Sequence, residues 1–176
     1  MIWEFEWLYA IQKIHSPRLD RIMVFVTGLA NHGELWIALG LILLCFVRTR
    51  RMGAGVLLSI ALGYVTGNLL LKNIFARSRP CWLRPEVPLL VPVPGDYSFP
   101  SGHTLVSFEG AFSVFRGNRK WGIGAMALAA LIAFSRLYLF VHFPTDILGG
   151  LVLAMGNAWA GEQIIKSGLK GSVQNT

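Results

Sequence analysis

One pair of residues in this sequence has the types and spacing of a nucleophile and its orienting partner. His142 is followed by Pro144 and then by Asp146. Proline is well suited to the first turn of a helix, and Asp146 would then lie in that turn, close to the imidazole. A carboxylate on one ring nitrogen fixes the tautomer and leaves the other nitrogen free to act as a nucleophile. The alternative is a loop histidine followed by an aspartate that only caps a helix.

A second segment, Pro100-Ser101-Gly102-His103, stands directly before an apolar helical run. Ser101 is a natural N-cap, and Gly102 allows backbone amides to approach a ligand at the positive end of the helix. Such a helix start can bind an anion. His103 would face that anion, where imidazole can donate a proton to a leaving oxygen near neutral pH. A simple capped helix start is the alternative.

Three cations complete the set. Lys72 and Arg79 are seven residues apart, about two helical turns, so they would share a face as far as the helix continues before Pro80 ends it. Arg136 stands near the end of an apolar run, where a charge inside a membrane suggests a functional role. Lys72 and Arg79 together could neutralise an anion with two or more charges, and a planar guanidinium can hold two phosphate oxygens at once. The alternative for Lys72 and Arg79 is that they anchor a helix end at the membrane surface.

The elements that carry these residues are predicted to be membrane helices. Hydrophobic residues make up 54% of the 176-residue chain, and its mean hydropathy is +0.55, which is too apolar for a typical soluble domain. Apolar runs of nearly spanning length predict four or five crossings, at residues 31–47, 53–71, 101–115, 121–141 and 143–165. The fold class predicted is all-α, a polytopic membrane bundle of about five to six helices.

The distribution of charge predicts how the bundle is oriented. Clusters of Lys and Arg near residues 48–51, 116–120 and 166–170 would lie on the cytoplasmic face. The loop 77–99 and the turn at His142 would then face the other side of the cell membrane. The loop contains five prolines, so it is predicted to be neither a helix nor a central strand. The basic clusters form no face interleaved with aromatic residues, and nucleic-acid binding is therefore not expected.

Three parts of the chain are distinguished. Residues 1–30 are predicted to form an interfacial helix or a short helical hairpin, because Pro17 interrupts an amphipathic segment. Residues 31–165 form the membrane-embedded domain, and residues 166–176 a cytoplasmic tail. Glu109 falls inside a predicted span, where it could pair with a cation or line a polar cavity.

The three segments together resemble the signature of the type 2 phosphatidic acid phosphatase superfamily, over about residues 53–165. The resemblance implies a core like that of acid phosphatases and vanadium haloperoxidases, and a phosphatase that needs neither a metal nor another cofactor. It further implies that His142 attacks phosphorus, that Asp146 orients His142, and that His103 protonates the leaving oxygen and later activates water. The phosphate oxygens would be held by Lys72, Arg79, Ser101, Gly102 and Arg136.

The resemblance also suggests a substrate. Short chains of this kind are similar to bacterial undecaprenyl-diphosphate phosphatases, so a bacterial source, a role in cell-wall biogenesis and hydrolysis of undecaprenyl diphosphate are expected. The alternatives are phosphatidylglycerophosphate, phosphatidate or lipid A phosphate as substrate, phosphotransfer between lipids, and a non-enzymatic membrane protein. Vanadium haloperoxidases share the site residues but are soluble. The expected partners are a lipid phosphate and membrane lipids, and no oligomeric state is predicted.

Overall fold

The protein is described by a computed structural model that covers residues 2–174, with side chains as far as Ser167. Within that part of the chain the regular structure is entirely helical, which confirms the all-α prediction. The helices are α1 (Ile2–Gln12), α2 (Pro17–Gly28), α3 (Glu34–Leu44), α4 (Arg50–Gly63), α5 (Lys72–Phe75), α6 (Pro80–Leu83), α7 (Gly102–Gly117), α8 (Arg119–Tyr138) and α9 (Pro144–Gln174). A 3₁₀ turn at Asn31–Gly33 precedes α3, and a π-helical stretch, Tyr64–Leu71, joins α4 to α5.

Side-chain caps define where several helices begin. Ser16 accepts a hydrogen bond from the amide of Leu19 at the start of α2, and Asn118 accepts one from the amide of Trp121 at the start of α8. Ser101 caps α7 in the same way. These side chains satisfy amides that have no partner inside the helix.

Helix α7 lies at the centre of the bundle and packs against α4, α8 and α9. Leu105, Phe108 and Ala111 of α7 belong to the main hydrophobic core. At Gly110 the ring of Trp36 from α3 comes so close that a Cβ would lie 2.3 Å from its Cε3 atom. This close approach requires glycine at position 110.

Large apolar side chains cover much of the outside of the bundle. Phe25 is 68% exposed, Ile74 71% and Val152 67%, which suits contact with lipid. By length and composition two helical stretches could cross a membrane, Arg50–Leu83 and Arg119–Tyr138, and a third if the bent pair α2 and Asn31–Leu44 counts as one.

This number of spans, counted over the described residues, is smaller than the four or five crossings predicted. Helix α7 has 16 residues and buries Glu109, and α9 carries Asn157 and Glu162 along its length. Polar groups that are satisfied inside a bundle lower the hydropathy of a helix without exposing charge to lipid.

The loop 77–99 differs from its prediction in one place. It contains the short helix α6, which begins at Pro80. Proline is tolerated at the first helical position because the amide it lacks would have no intrahelical partner there. The expectation that no part of this loop is helical was therefore wrong.

The relation between Lys72 and Arg79 also differs from its prediction. Helix α5 ends at Phe75, and Ala76 adopts a left-handed conformation with φ of 42°. Arg79 lies in extended backbone just before α6. A turn of the chain, and not a shared helical face, therefore brings the two cations together.

The N-terminal 30 residues contain two helices, α1 and α2, with Glu4 of α1 buried. At the other end, α9 continues as one helix from Pro144 to Gln174. The division into residues 1–30, 31–165 and 166–176 stays a prediction.

Candidate active site

The three predicted segments meet at one end of the bundle. A cavity of about 460 Å³ lies there, between α7 and the helical segment that leads to α5. The polar residues along it include Asn68, Lys72, Asp96, His103 and Glu109, and Gly102 also lines it. His142, Arg79 and Arg136 are buried beside this end of the molecule.

Arg79 makes the central contact of the site. Its Nη1 atom donates to Nε2 of His142 over 2.9 Å and to the carbonyl oxygen of Val141 over 2.8 Å. A guanidinium has only donors, so Nε2 of His142 must accept and therefore carries the lone pair. The proton of a neutral His142 is thus on Nδ1.

The Nδ1 side of His142 faces Asp146. The carboxylate oxygen Oδ2 lies 3.6 Å from Nδ1. The hydroxyl of Ser98 lies beside both atoms, 3.4 Å from Nδ1, and donates to Oδ2 over 2.5 Å. The amide of Phe143 also donates to Oδ2, over 2.8 Å. Asp146 is thereby fixed in the first turn of α9, where the Pro144 pattern placed it.

The surroundings of His142 keep its ring neutral. Burial, followed by the positive charges of Arg79, Arg136 and Lys72, holds the pKa of His142 well below its usual range. A neutral imidazole with its lone pair on Nε2 can act as a nucleophile.

Lys72 and Arg79 share one carboxylate that the sequence pattern did not single out. Asp96 accepts hydrogen bonds from Nζ of Lys72 and, over 2.8 Å, from Nη2 of Arg79. Although burial acts to raise it, the pKa of Asp96 is lowered to about 2 by these two cations. No local pattern marks Asp96, which is a single acid in a proline-rich loop.

Arg136 brings a third cation to the site from α8. Its Nη1 atom donates to the hydroxyl of Thr27 over 2.5 Å. Its buried Nε atom has no hydrogen-bond partner in the described part of the protein. Since an unpaired buried donor is costly, this atom suits an anion that binds between the cations.

The start of α7 faces the same region. His103 lies in the first turn, 3.0 Å from Oδ1 of Asn31 through Nε2, and interacts electrostatically with Arg136 and His142. A Cβ at Gly102 would lie 3.6 Å from Nζ of Lys72, so the helix start is close to that cation. The hydroxyl of Ser101 is fully buried and accepts from Thr104 as the cap of α7.

Two further residues of this network were missed by sequence reasoning. Arg77 donates to Oδ1 of Asp146 and to Oγ1 of Thr145, both over 2.6 Å, and to Oε2 of Glu4 over 2.7 Å. Its guanidinium also lies over the ring of Phe143, 4.3 Å from the centroid. Glu4 is far from the other residues in sequence, and only the docking of α1 on the bundle brings it here.

The comparison with known families agrees with this geometry. Residues 52–167, more than half of the chain, match the PAP2 superfamily. This chain belongs to the PAP2 superfamily. Among its relatives, a Sulfolobus acidocaldarius protein named undecaprenyl-diphosphatase is 35% identical over 85% of this chain and 72% of its own length. Undecaprenyl-diphosphatase BcrC of Bacillus subtilis is 32% identical over 80% of this chain and 72% of its own.

Solved structures confirm the fold of this PAP2 protein. A transmembrane PAP2-type phosphatidylglycerolphosphate phosphatase from Bacillus subtilis superposes with a TM-score of 0.72 at 25% identity, over 93% of this chain and 85% of its own. Aquifex aeolicus LpxE superposes with a TM-score of 0.78 at 26% identity, over 90% of this chain and 94% of its own. A bacterial vanadium-dependent iodoperoxidase superposes with a TM-score of 0.75 at 13% identity, over 93% of this chain and 49% of its own. At this identity the likeness confirms the haloperoxidase-like fold and nothing more. The PAP2 protein is therefore a membrane protein with the expected helical core.

Proposed function

We propose that this PAP2 protein is a membrane lipid phosphatase that cleaves a phosphomonoester or diphosphate headgroup through a phosphohistidine on His142. The observation that carries the proposal is the hydrogen bond from Arg79 to Nε2 of His142. It turns the lone pair of the imidazole toward the cations that can hold a phosphate. A histidine that served only packing would not need its acceptor nitrogen aimed at an arginine.

In the first step Nε2 of His142 attacks phosphorus, and the bond from phosphorus to the leaving oxygen breaks. His103, in its imidazolium form when the phosphate is bound, gives one proton to that oxygen and becomes neutral. The Nδ1 proton of His142 remains toward Ser98 and Asp146, whose negative charge stabilises the cationic ring formed on attack.

In the second step water attacks the phosphohistidine. His103, now without its proton, takes one from the water, and the phosphorus–nitrogen bond breaks. Inorganic phosphate leaves, and His142 is neutral again, so the enzyme returns to its starting state.

The cations stabilise charge on phosphorus throughout. Lys72 and Arg79 meet at one carboxylate, and Arg136 offers its unpaired Nε atom. The amides at Gly102 and the start of α7 would add the positive end of a helix. Ser101 contributes through its cap of that helix. These donors would hold the equatorial oxygens as negative charge shifts in the transition state.

Every step is assigned to a side chain of the protein, so we propose no cofactor and no metal. Undecaprenyl diphosphate is the proposed substrate, supported by the names of the two relatives at 35% and 32% identity. Phosphatidylglycerophosphate is the second candidate substrate, because a structural neighbour of this protein is a phosphatidylglycerolphosphate phosphatase. The site is proposed to open on the extracytoplasmic face, because the basic clusters lie at the other ends of the helices.

Phosphate release by the purified protein in detergent tests the proposal. Undecaprenyl diphosphate, phosphatidylglycerophosphate and phosphatidate would be compared at equal mole fraction, and we expect the highest kcat/KM for the first. Negligible turnover of the first alone would contradict the substrate, and negligible turnover of all three would contradict the phosphatase.

A further inference from the structure

Asp96 lies where the proposed function would place a phosphate. Its carboxylate binds Lys72 and Arg79, two of the three cations assigned to the substrate. The side chain is 53% exposed toward the cavity, whereas Lys72 and Arg79 are nearly buried. A phosphate that reaches these cations must therefore displace this carboxylate.

We propose that Asp96 is a specificity-determining residue, whose carboxylate occupies Lys72 and Arg79 until an anion with two negative charges replaces it. The inference rests on the proposed function, because it concerns the same cations. It goes further in naming what the site rejects, which is the singly charged phosphodiester of ordinary phospholipids.

The physical basis is a competition between anions. A phosphodiester carries one negative charge, as a carboxylate does, so exchanging one for the other gains little attraction. Asp96 also has the advantage of being tethered beside the cations, which gives it a high effective concentration. A phosphomonoester or terminal phosphate carries close to two charges at neutral pH and is attracted about twice as strongly.

This competition would matter in a membrane. Phosphodiester headgroups surround the protein at high concentration, and each could enter a site that held two free cations. Asp96 keeps those cations paired and leaves the cavity to headgroups with a terminal phosphate. Because its pKa is about 2, the carboxylate remains ionised over the whole working range of pH.

The backbone near Asp96 allows its side chain to leave without release of the loop. Nε of Arg79 binds the carbonyl oxygen of Asp96 over 2.7 Å, and Nη2 is 3.3 Å from that of Tyr97. The amide of Ser98 donates a hydrogen bond to the carbonyl oxygen of Arg77 over 2.8 Å. Replacement of the side chain should therefore leave the segment in place.

The test uses the full-length protein with Asp96→Asn, and Glu86→Gln as the matched control from the same loop. For undecaprenyl diphosphate in mixed micelles we expect KM, and the Ki of inorganic phosphate, to fall about fivefold in Asp96→Asn, the order expected for one partly exposed charge. Phosphatidylglycerol should inhibit Asp96→Asn but not the wild type. Glu86→Gln should match the wild type in all three measurements.

Two outcomes would overturn the inference. A rise in KM and in the Ki of phosphate would mean that Asp96 only anchors the loop. An unchanged response to phosphatidylglycerol would mean that it does not reject phosphodiesters.

A thermal-shift measurement separates this inference from the phosphatase itself. Inorganic phosphate should raise the Tm of the wild type and dimethyl phosphate should not, whereas both should raise the Tm of Asp96→Asn. This readout needs no turnover, so it holds if the substrate assignment fails. Equal responses of the two proteins to dimethyl phosphate would contradict the role of Asp96 even in an active enzyme.

Discussion

Nη1 of Arg79 donates a hydrogen bond to Nε2 of His142 over 2.9 Å. This contact fixes the tautomer of the His142 ring, because a guanidinium cannot accept a hydrogen bond. It directs the lone pair toward Arg79, and leaves the Nδ1 proton to Ser98 and Asp146. The proposed role of His142 as the nucleophile follows from this polarity of its ring.

Asp146→Asn should lower kcat by a factor on the order of 10² to 10⁴, with a smaller change in KM, because the ring loses the charge that stabilises its cationic form. Ser98→Ala should lower kcat less, since it removes only the bridging hydroxyl. Steady-state kinetics of the two variants check this order. A Ser98→Ala defect larger than that of Asp146→Asn would contradict a direct role for the carboxylate.

Arg77→Gln should lower both stability and kcat, because buried Asp146 and Glu4 would lose the cation between them. Removing one partner of a buried ion pair costs about 3–5 kcal/mol. Arg77→Lys should recover part of the loss, since it restores the charge but not the forked geometry. The measurements are Tm in detergent and kcat. Wild-type kcat in Arg77→Gln, with only Tm lowered, would show that Arg77 does not position Asp146.

The wild type should lose stability on acidification more steeply than His142→Gln. The folded-state pKa of His142 lies below its unfolded value of about 6.5, so the unfolded state binds the proton more readily. Stability from this group is fully present above pH ~6.5 and decreases as pH falls through the folded pKa. Tm of both proteins from pH 8 to pH 5, without substrate, tests the difference. Parallel curves would mean that His142 is not held neutral by its surroundings.

Treatment with EDTA should leave the phosphatase rate essentially unchanged. All steps are assigned to side chains, and the described residues contain no group of three His, Cys, Asp or Glu placed to hold a metal. The measurement is phosphate release before and after chelation and dialysis. Strong inhibition that magnesium reverses would contradict the metal-free mechanism.

Local patterns predicted the parts of the site that depend on neighbours in sequence. Ser101 caps α7, Pro144 begins α9, and Asp146 lies in the turn beside His142, as short-range rules require. The turn at Ala76 was not predictable, because alanine rarely adopts a left-handed conformation and the apolar run gave no sign of a break.

Contacts between distant segments could not be predicted from one sequence. Glu4 reaches Arg77 only after α1 docks on the bundle, and Thr27 reaches Arg136 only through the packing of α2 against α8. The sequence allows two roles for Glu109, and the structure places it on the cavity with Asn157 as a hydrogen-bond donor at 2.8 Å. No motif encodes such pairs, because the tertiary fold alone determines them.

Trapping of the phosphoenzyme tests the covalent mechanism most directly. The protein would be mixed with substrate labelled with ³²P in its terminal phosphate, quenched with alkaline detergent and analysed by peptide mapping. We expect alkali-stable, acid-labile label on His142 and none in His142→Ala, whereas in His103→Ala the label should both form and decay more slowly, because His103 acts in both steps. His15→Ala is the control, because His15 lies outside the cavity, against Asp20 and the ring of Tyr138. Label on another residue, or turnover that persists in a folded His142→Ala variant, would contradict the account.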